Sequence, residues 1–309
     1  MQRADSSLAA PVSCMKINAW LDRYVAEEAP KSKSLIVTVL GDSILPGASG
    51  LWLSELIALM APFGLSERLV RTSCFRLIEE GWLSTRRDGR RSHYSLTPLG
   101  QRRIELASQR IYTAPSDDWD GQWTLVIAPR SAETLPNRVD LRRELEWEGF
   151  AALASGVMIH PDAKQAVLQQ LLGDLGLADR VLVFRGARPD GFGATPELLT
   201  FWDLDEVRAR YTRFIARFQP LVAALAAASL TPTQAFRVQT LMIHAFRRAT
   251  LHDPRLPIPM LPADWPGIAA YALCRRLYAI TRPLAHAHLA SSCQWPPSSG
   301  DDGLAARFA

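Results

Sequence analysis

Apolar positions along this chain change their spacing several times, and each change marks a new kind of element. Asn18 to Glu28 (NAWLDRYVAEE) has helical spacing behind an Asn cap, with Pro30 to end it. Leu35 to Ile44 predicts a helix that stops near Pro46-Gly47. Ser54 to Met60, led in by Leu51-Trp52-Leu53, predicts a second, stopped around Pro62-Phe63-Gly64. Ser66 then caps a third, Glu67 to Glu80, with Glu67 in its first turn and Gly81 placed to end it. Within it Leu69, Val70, Cys74, Leu77 and Ile78 form one stripe of 3.6-residue period. Arg68, Arg71, Thr72, Phe75 and Arg76 lie largely on the other side.

The period then shortens. Asp88-Gly89 between two extended runs predicts a hairpin whose two-residue loop pairs Arg87 with Arg90, Arg86 with Arg91, Thr85 with Ser92 and Leu83 with Tyr94. Like charges stacked across strands are destabilising, so four arginines at one tip suggest a polyanion as partner. Thr97 as cap and Pro98 in the first turn open a helix to about Tyr112, and Thr113 to Gln122 has linker composition. Beyond it come a strand (123–129), a helix (134–148), two short strands (150–154 and 157–160) hinged at Ser155-Gly156, a helix (162–175) and a strand (181–184). That βαββαβ order is the ferredoxin-like plan. From Asp203 the pattern is all helix, at about 204–227, 233–251 and 266–290, with a proline-dense connection at 253–267. From about Ser291 the tail is polar and rich in Pro and Gly, and disorder is expected there.

Of 309 residues 48% are hydrophobic and 21% charged, a globular composition. No apolar run is long enough to span a membrane, and the N-terminus lacks the apolar core of a secretory signal. Cys14, Cys74, Cys274 and Cys293 lie far apart, as expected for free or buried thiols in a reducing cytoplasm. Net charge is +4, but its placement says more. Residues 31–112 hold 12 basic and 7 acidic residues, whereas residues 113–309 hold 20 of each. Thirty-one of the 35 basic residues are Arg, suited to bidentate contact with phosphate or guanine.

Three helices followed by an Arg-tipped hairpin, inside the only basic block, predict a winged helix-turn-helix. The third helix would enter the major groove with Ser66, Arg68, Arg71, Thr72 and Arg76, and Arg86, Arg87, Arg90 and Arg91 would form the wing contacts. Hydrolase and nucleotide-binding motifs are absent from the sequence. His286 and His288 point about 200° apart on a helix, so they do not chelate one ion. Asp117, Asp118 and Asp120 precede a strand in a linker and suit turns and caps better than a metal. His244, Arg247 and Arg248 share a helix face, with Arg255, Arg275, Arg276 and Trp265 in neighbouring segments. That cluster suits either salt bridges between helices or a cradle for an anionic, aromatic ligand.

These residues carry a resemblance. Leu35 to Asp42 (LIVTVLGD), Glu67 to Leu77 (ERLVRTSCFRL), Glu80 to Leu83 (EGWL), Gly89 to Ser92 (GRRS) and Tyr94 to Gly100 (YSLTPLG) are similar to the DNA-binding half of the PaaX family, repressors of phenylacetate catabolism. Trp119 to Trp123, Gly149-Phe150, Ala154 to Gly156, His244 to Arg248 and the Pro-rich run through Gly267 resemble its remaining parts. The resemblance spans roughly 33–285 and implies an α+β multidomain chain: an N-terminal winged helix-turn-helix, a central ferredoxin-like domain of Cas2 type, and an all-helical C-terminal domain. Segments 1–32, 33–112, 119–198, 199–290 and 291–309 would be an extension, the DNA-binding domain, the dimerisation domain, the effector domain and the tail.

It further implies a homodimer on double-stranded operator DNA, with no cofactor, released by an aryl-acyl-CoA inducer, phenylacetyl-CoA. His244, Arg247, Arg248, Arg255 and Trp265 are the candidate effector residues. Two other readings stay open: a regulator of the same family that answers another acyl-CoA, and a metal-dependent nuclease or acyl-CoA-processing enzyme with a DNA-binding arm. Cas2-type nucleases carry a metal-binding Asp at the end of their first strand. Here that strand ends Ala128-Pro129-Arg130, which favours a regulator over an enzyme.

Overall fold

A computed structural model describes residues 17–45, 50–115, 118–128, 138–187, 199–227, 229–293 and 307–308. The expectations for Cys14, Pro46-Gly47, Asp117, Pro129-Arg130, 134–137 and 294–306 lie outside these residues. The chain divides into two compact units, Met1–Thr113 with Phe214–Arg247 and Ala272–Ala309, and Ala114–Arg213 with Arg248–Tyr271.

The N-terminal part of the first unit contains α1 (Ile17–Glu28), α2 (Ser32–Val39), β1 (Gly50–Trp52), α3 (Leu53–Met60), α4 (Glu67–Glu79), β2 (Leu83–Asp88), β3 (Arg91–Leu96) and α5 (Pro98–Tyr112). A π-helical turn, Leu40–Ile44, continues α2. Two expected caps are formed: Ser66 Oγ accepts from the Leu69 amide at 3.3 Å and Thr97 Oγ1 from the Gly100 amide at 3.0 Å. Asn18 is not a cap. It lies inside α1, and its Oδ1 accepts from Gln234 Nε2 at 3.0 Å.

The hairpin loop lies one residue further along than expected, which moves every cross-strand partner by two. Arg86 faces His93, Arg87 faces Ser92 and Asp88 faces Arg91, so Gly89 and Arg90 make the turn. Gly89 takes φ +57°, and the shift puts that left-handed residue at the first central position, where a type II′ turn requires it. The same shift replaces two Arg–Arg cross-strand pairs by Arg86–His93, Arg87–Ser92 and Asp88–Arg91. β1 was not expected. It pairs with β3 and completes a sheet of order β1-β3-β2, and Gly50 is required there because a Cβ would lie 2.2 Å from the Tyr94 carbonyl oxygen.

The helical region contains α8 (Leu204–Phe218), α9 (Leu221–Ala227), α10 (Pro232–Thr250) and α11 (Pro266–Ser292). The single helix expected over 204–227 is broken at Gln219-Pro220, since Pro220 has no amide hydrogen to continue the ladder. In the first unit Trp20 and Tyr24 of α1 pack on Phe218, 5.5 and 5.4 Å away. Asp22 pairs with Arg237 at 2.7 Å and Glu27 with Arg217 at 2.6 Å. The disorder expected from Ser291 is overturned at both described parts of the tail. Ser291 and Ser292 end α11, and Arg307-Phe308 is packed inside the unit.

The second unit contains β4 (Gln122–Ile127), α6 (Arg138–Trp147), β5 (Ala151–Ala154), β6 (Val157–His160), α7 (Gln165–Asp174) and β7 (Leu182–Ala187). The sheet order is β5-β6-β4-β7, antiparallel throughout, which is the ferredoxin-like topology. On one face Val126 and Met158 meet Leu141, Leu145, Leu168 and Leu172 from the two helices. On the other, Trp123, Ala151 and Ile159 are covered by Trp202, Leu256 and Met260. The Pro-rich connection therefore lids the sheet. Trp202 Nε1 donates to the Gly149 carbonyl at 2.8 Å, and the Gly149 backbone, at φ +90°, has the Pro254 carbonyl only 2.3 Å from where a Cβ would be.

Candidate functional site

The basic surface is built on α4 and the hairpin. Val70, Ser73, Cys74 and Leu77 are the buried face of α4, which is held to α2 by a Ser32–Ser73 hydroxyl pair at 2.8 Å and a Lys33–Glu80 ion pair at 2.6 Å. Ser66, Arg68, Arg71, Thr72 and Arg76 are all exposed, as expected. Leu69 is not on the buried stripe. It is 42% exposed, and Phe75 is 59% exposed, so two apolar side chains stand among the arginines. Arg71 is not free: its guanidinium pairs with Glu67 at 2.6 Å across one helical turn.

Arg86, Arg87, Arg90 and Arg91 are all exposed on the hairpin. Arg91 is pinned, with its guanidinium 4.2 Å above the Trp52 ring, and Trp52 in turn meets His93 edge-on at 5.1 Å. Burial, with Cys74 behind it, holds the Tyr94 phenol above its ordinary pKa, and the charges of Arg71 on α4 and Arg87 on the hairpin only partly offset this. One arginine from the helix and one from the hairpin thus act on the same tyrosine. Cys74, behind this surface, has its thiol pushed up to about 12 by burial and is inert. Cys74, Cys274 and Cys293 are free and buried.

The five candidate effector residues do not fall in one unit. In the first, His244 is buried with Nε2 3.2 Å from Ser34 Oγ, and Arg247 donates to the Ser34 carbonyl at 3.2 Å and to Thr38 Oγ1 at 2.9 Å. Burial lowers the Arg247 pKa. In the second unit Arg248 is exposed, and its carbonyl accepts from Arg210 at 3.1 Å. Arg255 turns at φ +57°, with its amide donating to Asp253 Oδ1 at 2.7 Å. Trp265 is buried against Tyr211, 6.2 Å away, with Arg208 5.6 Å over its ring. Asp120 acts as a turn residue: Oδ1 accepts from the Gln122 amide at 2.9 Å, and its carboxylate pairs with Arg185 at 2.5 Å.

Sequence reasoning missed a buried polar network in the first unit. Asp42 accepts from Tyr112 Oη at 2.5 Å and from Gln239 Nε2 at 2.9 Å, and pairs with Arg307 at 3.0 Å. The available signal was the run Leu304 to Phe308 (LAARF), where apolar residues return after the polar stretch Ser298 to Gly303. Among the described residues no group of three or more His, Cys, Asp or Glu lies together as metal ligands do, and no helix is long and apolar enough to cross a membrane.

Three family descriptions match the chain in order: PaaX-like protein at residues 31–100, PaaX protein central Cas2-like domain at 116–199, and PaaX-like protein C-terminal domain at 202–291. The ferredoxin-like sheet lies within the second. A curated relative, Transcriptional repressor PaaX of Escherichia coli (strain K12), is 39% identical over 275 residues, covering 87% of this chain and 86% of its own. Among solved structures, Uncharacterized protein Rv0674 from Mycobacterium tuberculosis is 26% identical, covers 77% of this chain and 90% of that one, and has a TM-score of 0.47.

Proposed function

The chain belongs to the PaaX family, and on that footing we propose that it is a DNA-binding transcriptional repressor of phenylacetate catabolic genes. Its N-terminal part acts as a winged helix-turn-helix, and phenylacetyl-CoA releases it from the operator. The observation that carries the reading is the joint surface of α4 and the hairpin. Arg68, Arg71, Thr72 and Arg76 project from a capped helix and Arg86, Arg87 and Arg90 from the hairpin, all exposed, with Arg71 and Arg87 both acting on Tyr94.

In the major groove Arg68 and Arg71 supply bidentate donors to guanine, and Phe75 and Leu69 supply apolar contact to thymine methyl groups. The hairpin arginines meet phosphates and fix register without reading sequence. A single module of this kind reads a short site, so specific repression calls for two copies on a pseudo-palindrome. The second unit offers a surface for the second copy: on β7, an edge strand, Leu182, Val183 and Phe184 are exposed, Phe184 by 55%. The role is regulatory rather than enzymatic, in keeping with the curated relative.

Fluorescence anisotropy with operator DNA tests the reading. Wild-type protein should bind with an affinity that falls steeply with salt, and an Arg71→Ala, Arg90→Ala double variant should lose most of it. Unchanged affinity in the double variant would remove the winged-helix assignment.

A further inference from the structure

The last described residues, Arg307 and Phe308, are inside the first unit. Phe308 is 4% exposed, and its ring lies 5.1 Å from Tyr112 and 5.2 Å from Tyr278, with Phe246 at 6.5 Å. Arg307 lies 4.4 Å over the Tyr112 ring. It donates to Tyr278 Oη at 3.3 Å, to the Gly41 carbonyl at 2.7 Å and, at close range, to the Asp42 carbonyl. Phe308 takes φ +59°, a conformation an aromatic residue avoids by itself. Tertiary contacts, not local preference, hold the ring there.

The slot is walled by three helices, with Tyr112 from the last residue of α5, Phe246 from α10 and Tyr278 from the middle of α11. A narrow crevice lined by Thr38, Asp42, Trp82, Arg103, Tyr112 and Arg247 shares Tyr112 and Asp42 with it. Among the described residues the hydrogen bonds of Arg247 go to a carbonyl and a hydroxyl, and Arg103 rests 5.2 Å over Trp82. An aromatic slot for one benzyl group thus borders a crevice carrying two guanidinium groups. The Phe308 side chain, C6H5–CH2–, is the same group that an aryl-acetyl thioester carries next to its carbonyl, and the phosphates of such a thioester need guanidinium partners.

Resting on the effector reading above, we infer that this slot is the acyl subsite, occupied in the ligand-free protein by the chain's own Phe308, and that the arylmethyl group of the thioester displaces it. Displacement also takes Arg307 from Asp42 and leaves a buried carboxylate short of its cation. Asp42 lies in the turn that continues α2, and Tyr112 closes α5, so both ends of the DNA-binding segment feel the change. A resident competitor also lowers the apparent affinity for ligand by the fraction of protein in which the slot is filled.

Limited trypsin digestion of the wild-type protein, with binding followed in parallel by calorimetry, tests this. Free protein should be cut slowly after Arg307, which is held beside Asp42. Saturating phenylacetyl-CoA should speed that cut at least tenfold, and acetyl-CoA, which has no ring, should leave it unchanged. Phe308→Ala should bind phenylacetyl-CoA several-fold more tightly than wild type, with acetyl-CoA affinity unaltered. If wild type binds phenylacetyl-CoA while Arg307 stays equally protected, the subsite is overturned and the effector reading stands. If neither protein binds the thioester, the effector reading fails and the subsite fails with it.

Discussion

Arg71 and Glu67 face each other across one turn of α4, with Nη2 2.6 Å from Oε1 and both side chains more than half exposed. An exposed i,i+4 pair contributes only about 0.3–0.5 kcal/mol, so it orients the guanidinium without committing it. A guanine edge or a phosphate can take the arginine, and the released Glu67 can accept from a cytosine amino group or repel a phosphate.

Arg71→Ala should therefore cost about 1–3 kcal/mol of operator binding and relax specificity at one position, while leaving thermal stability nearly unchanged. Glu67→Gln should raise affinity for unrelated DNA more than for operator, because a freed Arg71 pairs with any phosphate. Anisotropy titrations on both DNAs measure the ratio.

On the hairpin, Arg87→Ala and Arg90→Ala should weaken all sequences alike, each reducing the slope of log K against log salt by about one. Arg91→Ala should reduce the slope less and lower stability, because its guanidinium is stacked on Trp52. A salt titration of the three variants separates them.

Asp42→Ala should destabilise the fold by about 3–5 kcal/mol, measured by denaturant unfolding, since it leaves Arg307, Tyr112 and Gln239 facing a buried void.

His288 is half-buried, its Nε2 has no hydrogen-bond partner among the described residues, and burial holds its pKa below the ordinary value. As pH falls below about 6.5 the unfolded chain takes up a proton before the folded ring does. Stability present above that pH is lost as the pH drops through the lowered value. His288→Gln should show a shallower fall in denaturant midpoint between pH 7 and 5.5 than wild type.

On the proposed pairing of two copies through β7, light scattering should find the wild-type protein a dimer, and Phe184→Glu on that exposed edge should leave the unit folded and the protein monomeric. Operator binding should weaken with it.

The sequence by itself determined what depends on neighbours along the chain. Helix starts at Ser66 and Thr97 follow from side chains that cap their own amides, and the βαββαβ order follows from periodicity. The basic face of α4 was legible because helical spacing separates Arg68, Arg71, Thr72 and Arg76 from Val70 and Cys74. Tertiary structure alone decided what depends on distant partners. Hairpin register turned on which residue carries the positive φ, and β1 exists only because β3 offers it a free edge. His244 and Arg247 shared a face as expected, yet their partners, Ser34 and Thr38, lie some two hundred residues away. The Arg307-Phe308 pair looked like part of a solvated tail, because no local pattern reports a carboxylate and three aromatic rings gathered from four separate segments. Burying that pair draws on energies that arise only once those segments have met.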